Sequence, residues 1–152
     1  MDPFSILAGV VGIATAGVQG SKKLYELLDD VRSGPDEIYT ISQDAHALFA
    51  VMHSLEIALK REDLQALVQD DNEIIDAVEN LQQPLRNCQR ILRQLMDEIA
   101  GRLKPHPDGD GYRLSSYDLK WGMVTKGHVR NIMRRLDSNK ATLNTGMCAI
   151  TA

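Results

Sequence analysis

Met1-Asp2-Pro3-Phe4-Ser5-Ile6-Leu7-Ala8-Gly9-Val10-Val11-Gly12-Ile13-Ala14-Thr15-Ala16-Gly17-Val18-Gln19-Gly20-Ser21 opens the chain, and no charge lies between Asp2 and Lys22. At about 1.5 Å per residue, such a run in helical form is about as long as a bilayer core of roughly 30 Å is thick. Its affinity for that core is modest. Seven strongly apolar side chains (Phe4, Ile6, Leu7, Val10, Val11, Ile13, Val18) each favour insertion by about 0.3–0.6 kcal/mol, roughly −3 kcal/mol together, and Ser5, Thr15 and Gln19 erode the sum. Ala8, Gly12, Ala16 and Gly20 recur every fourth position and form a ridge where backbones can approach closely, with Gly9 beside it. Four glycines, at about 1 kcal/mol each against alanine, leave the isolated helix poorly formed in water. It needs a partner: the rest of a bundle, other copies of itself, or lipid.

Three uses of this stretch are open. A secretory signal would take Ile6 to Ala14 as its apolar region and Ala14-Thr15-Ala16 as its cleavage site, but it starts with an acid where a basic start is expected. A buried core helix explains the stretch with the fewest assumptions. A helix buried at rest and released into a membrane on activation is the third reading.

Further along, the periodicity predicts helices. After Ser21, Leu24, Tyr25, Leu27, Leu28 and Val31 alternate with charges, so the first helix is expected to run to about Arg32. Ser33-Gly34-Pro35-Asp36 then stops it and starts another. In the second helix Ile38, Ile41, Ala45, Leu48, Met52, Leu55 and Leu59 alternate steps of three and four, a bundle seam. His46 and His53 fall outside it and read as rim residues. A short helix or helix end is expected within residues 60–71, and the acids Asp70, Asp71, Glu73, Asp76 and Glu79 favour the start of the next helix. There Ile74, Val78, Leu81, Leu85, Cys88, Leu92, Leu95 and Ile99 repeat the seam, with a kink or break expected at Pro84. Arg86, Arg90 and Arg93 read as a solvated flank. Residues 104–111 read as a loop; as a calcium site it fails, because His106 and Tyr117 occupy the first and last ligand positions. A last helix starts between Leu119 and Lys126 and carries Val129, Ile132, Met133, Leu136, Leu143, Met147 and Ile150, with Trp121 near its start as a core anchor. Together these elements predict an all-α, up-and-down bundle of four to five helices with an apolar N-terminal helix, a single domain over residues 1–152. The apolar pattern is still running at Ile150, which predicts that the domain is the N-terminal part of a longer protein.

With 152 residues, 43 % hydrophobic and 5 % aromatic, the chain can bury a substantial core, and that core must be aliphatic. Cys88 and Cys148 stand in no metal or redox spacing, consistent with a reduced cytoplasmic setting. The net charge of −4 is uneven: residues 1–84 carry −10 and residues 85–152 carry +6. Packing of the two halves should settle most of this asymmetry. Lys22, Lys23, Lys126, Arg130 and Arg134 are candidate contacts for anionic lipid. No catalytic constellation, metal cluster or cofactor loop is evident, and the basic residues lack the aromatic platform that nucleic-acid binding uses. Neither a catalytic role nor a cofactor, metal or nucleic-acid partner is therefore expected.

Beyond these patterns, Met1-Asp2-Pro3-Phe4-Ser5-Ile6 followed by Ala8-Gly9-Val10-Val11-Gly12-Ile13-Ala14 resembles the start of the fungal HeLo-like domains, which stand at the N-terminus of STAND receptors (NACHT or NB-ARC) and ankyrin-repeat proteins. Pro84-Leu85-x-x-Cys88, Lys120-Trp121 and the stretch from Leu136 to Leu143 are similar to that family too. The resemblance implies a cytoplasmic helical bundle that executes regulated cell death in fungal innate immunity and heterokaryon incompatibility. The helical bundles of plant immune receptors and of the mixed-lineage kinase-like necroptosis protein are similar. On this resemblance a C-terminal sensor, an amyloid-signalling region or a cognate receptor drives homo-oligomerisation, and the first helix then enters the plasma membrane. Phe4, Ile6, Leu7, Val10, Val11, Ile13 and Val18 would engage lipid, while Ala8, Gly9, Gly12, Ala16 and Gly20 would allow helices to pack. One departure is that no acid lies between Asp2 and Glu26, which favours general permeabilisation over a cation-selective pore. The alternative is a non-lytic oligomerisation and adaptor domain of a STAND receptor, whose first helix stays buried.

Overall fold

The computed structural model describes residues 2–33, 36–107, 109, 111–113 and 126–151. Helix α1 (Pro3–Asp29) begins where sequence chemistry puts it: Asp2 is the N-cap and its carboxylate accepts from the Phe4 amide, while Pro3 fills the first turn. It ends three residues earlier than periodicity predicts, because Val31–Ser33 leaves the helix to form strand β1. Gly34 and Pro35, read as the stop signal, lie outside the described residues.

Helix α2 (Asp36–Leu59) runs antiparallel to α1, since Thr15 meets Glu56 at one end and Asp29 meets Ser42 at the other. Every residue of its expected seam, from Ile38 to Leu59, is buried. Two short helices follow, α3 (Glu62–Asp70), which buries Leu64 and Val68, and α4 (Asn72–Glu79). Asp71 caps α4 by accepting from the Glu73 and Ile74 amides, so at least this acid serves the helix start as expected. The chain breaks at Asn80 and Leu81, and α5 (Gln82–Ala100) then takes Pro84 into its first turn. The missing amide hydrogen of Pro84 costs nothing there, which is why the break precedes the proline. The remaining seam residues, from Val78 to Ile99, are buried, and Ile74 is half-buried. Arg86, Arg90 and Arg93 are exposed.

Helix α6 (Lys126–Thr151) closes the bundle, burying Val129, Ile132, Met133, Leu136, Leu143 and Ile150, with Met147 half-buried. The region preceding it, with Trp121, Lys120 and Tyr117, lies outside the described residues, as do Asp108 and Asp110 of the expected loop. The architecture is therefore the all-α bundle with an apolar N-terminal helix that the sequence predicts. The short strands are an addition: β2 (Lys104–Pro105) and β3 (Tyr112–Arg113) join β1 in a three-stranded sheet of order β1-β3-β2. Within it β1 pairs parallel and β2 antiparallel to β3. Part of the segment read as loop is thus paired backbone.

Helix α1 lies along α2 and also touches α3, α4 and α5. At Gly17 it packs against the Met52 side chain of α2, so closely that an added Cβ would stand 2.6 Å from Met52 Cε. Gly12, by contrast, faces open space. Gly17→Val should therefore lower unfolding free energy by roughly 1–3 kcal/mol in urea titrations. Gly12→Val should be close to neutral, and equal effects at the two positions would contradict this packing.

Candidate functional site

The apolar first helix is mounted by a single stripe. Leu7, Val10, Ala14, Gly17, Ser21, Leu24 and Leu28 are buried, the same three-and-four alternation that runs through α2. Among the seven side chains expected to engage lipid, Leu7 and Val10 are closed into the core. Ile6, Val11, Ile13 and Val18 are half-buried against it, and Phe4 is 45 % exposed. Ala8, Gly9 and Gly12 face outward, and Ala16 and Gly20 lie half-buried. The expected small-residue ridge is thus left open at its N-terminal end within one molecule. Only 28 % of the most apolar stretch of α1 is buried, and among the described residues α1 is the helix long and apolar enough to cross a membrane. Its outward face, like its inward one, carries no charge from Pro3 to Ser21.

Polar fixings are concentrated at one end. The carboxylate of Asp29 accepts from the Ser42 hydroxyl at 2.5 Å and pairs with His46 Nε2 at 3.0 Å. Tyr25 stacks on the His46 ring, with centroids 3.9 Å apart, and meets Phe49 edge-on; Phe49 in turn stacks with His53. Both rim histidines therefore belong to an aromatic row on the face of α2 beside α1. Nearer the N-terminus, Thr15 donates to Glu56 at 2.5 Å. Ser21, buried in the stripe, donates to the Gly17 and Val18 carbonyls of its own helix.

The basic candidates separate. Lys22 and Lys23 are exposed, and Lys22 lies 3.9 Å from Glu26. Lys126 opens α6, and its side chain lies outside the described set. Arg130 and Arg134 border a groove of about 370 Å³ between α2 and α6, floored by Ile41, Val129 and Met133, with Glu37, Asp44 and Asp137 among its lining. These arginines thus share their groove with acids, as the opposite charges of the two halves of the chain suggest. Burial and the neighbouring Asp137 carboxylate raise the Asp44 pKa, and Lys140 opposes them.

A family model for the N-terminal domain of PigL, a pigment biosynthesis cluster protein, matches residues 1–152. The chain belongs to this family. Its match covers every residue, and the family is a fungal-type N-terminal domain. No curated protein and no solved structure matches the chain.

For this PigL-type domain, the sequence marks α1 as the element of interest but not how it is held. Gly17 and Ser21 are legible in the sequence, because continuing the alternation from Leu7 through Val10 and Ala14 lands on both. Nothing in the spacing marks Asp29, Ser42 and His46 as a cluster.

Cys88 is buried, which pushes its thiol up to about 12, and Cys148 is exposed. In a thiol-labelling assay at pH 8 the folded domain should react once, at Cys148, and a second time only in denaturant. Rapid reaction of Cys88 in the folded protein would contradict its burial. Asp44 gives a pH test. A carboxyl whose folded pKa is raised costs stability when ionised, and the cost fades as pH falls through the raised value toward its ordinary 3.8. Asp44→Asn should therefore be more stable than the parent at neutral pH, and the two urea midpoints should converge on acidification.

Proposed function

We propose that this domain is a membrane-permeabilising effector of regulated cell death with the character of the fungal HeLo-like domains. It rests in the cytoplasm and acts by homo-oligomerisation and release of α1 into the plasma membrane. The observation that carries this reading is the mounting of α1. A helix without charge over residues 3–21 is docked through one stripe, and its other face is also free of charge. A soluble bundle does not need that second face to be uncharged, because lysine or glutamate at Ala8 or Gly12 would meet only solvent.

Energetics support a switch. Insertion is worth only roughly 3 kcal/mol per helix, comparable with the transfer energy of one or two buried leucines, so a single copy stays closed. Clustering by a C-terminal sensor, an amyloid-signalling region or a cognate receptor adds these small gains. It also lets Ala8, Gly9 and Gly12 of neighbouring copies pack. No catalytic step or cofactor enters this reading. Lys22 and Lys23, just past the uncharged run, would meet anionic headgroups. Arg130 and Arg134 would have to exchange the acids of their groove for lipid.

The test is dye release from vesicles with and without anionic lipid. A charge at Leu7 would disturb the core, so Ala8→Lys, on the exposed face, is the variant of choice; it opposes insertion by up to about 2.5–3.5 kcal/mol, the cost of a lysine at the centre of an inserted helix. The parent should release dye while Ala8→Lys, folded by circular dichroism, should not. Equal release by both would remove α1 from the mechanism. No release by a folded, self-associating parent would favour the adaptor reading, in which α1 is purely structural.

A further inference from the structure

The fixings of α1 are unevenly distributed, and their boundary coincides with a weak point in the helix. From residue 22 onward it is tied by polar and aromatic contacts: Tyr25 on His46 and Phe49, Asp29 with Ser42 and His46, and the Asp30 carbonyl accepting from the Tyr112 amide as β1 enters the sheet. Before residue 17 it is held by the core contacts of Leu7, Val10 and Ala14, with half-buried neighbours, and by the Thr15–Glu56 hydrogen bond. Between the two parts lie Gly17, Gly20 and Ser21. Glycine is the poorest helix former after proline. A serine hydroxyl bonded back to the carbonyl four residues earlier, as Ser21 is to Gly17, loosens and bends helices. The close approach of Gly17 to Met52 also ties this point to α2.

We infer that α1 opens as two units, residues 3–16 leaving the bundle about a hinge at residues 17–21 while residues 22–29 stay docked on α2. The division follows the charge pattern: the part that leaves is uncharged, and the part that stays contains Lys22, Lys23, Glu26 and Asp29. It also sets the reach of the released part. Fourteen helical residues extend about 21 Å, short of a bilayer core of roughly 30 Å. On the membrane reading above, on which this consequence rests, the released part occupies one leaflet and lies among headgroups and upper acyl chains. Crossing would require the Asp29 and Tyr25 contacts to break as well.

Hydrogen exchange by mass spectrometry on the full chain, without lipid, tests the hinge. Amides of residues 6–16, which are bonded within the helix, should exchange faster than those of residues 22–29, with the boundary within residues 17–21. Exchange of both stretches at a common rate, fast or slow, overturns the inference. Gly20→Ala, whose added methyl finds only ordinary contact with Leu92 at 3.6 Å, stiffens the hinge and should slow exchange of residues 6–16 about fivefold. An unchanged rate in this variant places the opening elsewhere and also overturns it. Repeating the measurement with anionic vesicles separates the two proposals. Protection gained by residues 3–16 alone supports single-leaflet contact. Protection extending through residues 22–29 refutes it, and a pattern unchanged by vesicles refutes the membrane reading while leaving the hinge standing.

Discussion

The contact between α1 and α2 is the constraint on which the rest of the bundle depends. An uncharged, glycine-rich helix has little reason to be helical alone, so its structure is supplied by the surface that it covers. That surface is the α2 seam, closed by Leu48, Met52 and Leu55, all fully buried. At Gly17 the Met52 side chain fills the space where a side chain of α1 would otherwise stand. The same contact both folds α1 and hides its apolar stripe from water.

A docked helix of this kind is held by burial more than by specific bonds. Hydrophobic attachment is non-directional and scales with area, so a second apolar environment can replace it without loss. Hydrogen-bonded attachment cannot be exchanged so freely, because a carboxylate such as Asp29 separated from Ser42 and His46 must find water or other donors. The domain uses the first kind of attachment for one part of α1 and adds the second for the other. The ion pair Lys22–Glu26 contributes little to either, since both side chains lie at about half exposure.

Much of this architecture is legible in the sequence, and the reason is alternation. In α2, α5 and α6, charged residues mark the outside, so the apolar positions identify the inside without ambiguity. Helix α1 lacks that marking. With small and apolar residues on every face between Pro3 and Ser21, the four-residue spacing of Ala8, Gly12, Ala16 and Gly20 stands out, yet Ala8 and Gly12 are exposed and the packed glycine is Gly17. The sheet is illegible for another reason: strands of two or three residues are too short for any period. What fixes them is a contact distant in sequence, the Tyr112 amide on the Asp30 carbonyl.

That distant contact has a consequence for the order in which the chain folds. The helical hairpin of α1 and α2 joins neighbours in sequence and closes at low entropic cost, whereas pairing β1 with β3 closes a loop containing α2, α3, α4 and α5. During synthesis α1 can therefore find its place against α2 before β3 has been made. The apolar opening is shielded early, and the sheet fastens its far end only after most of the domain is complete.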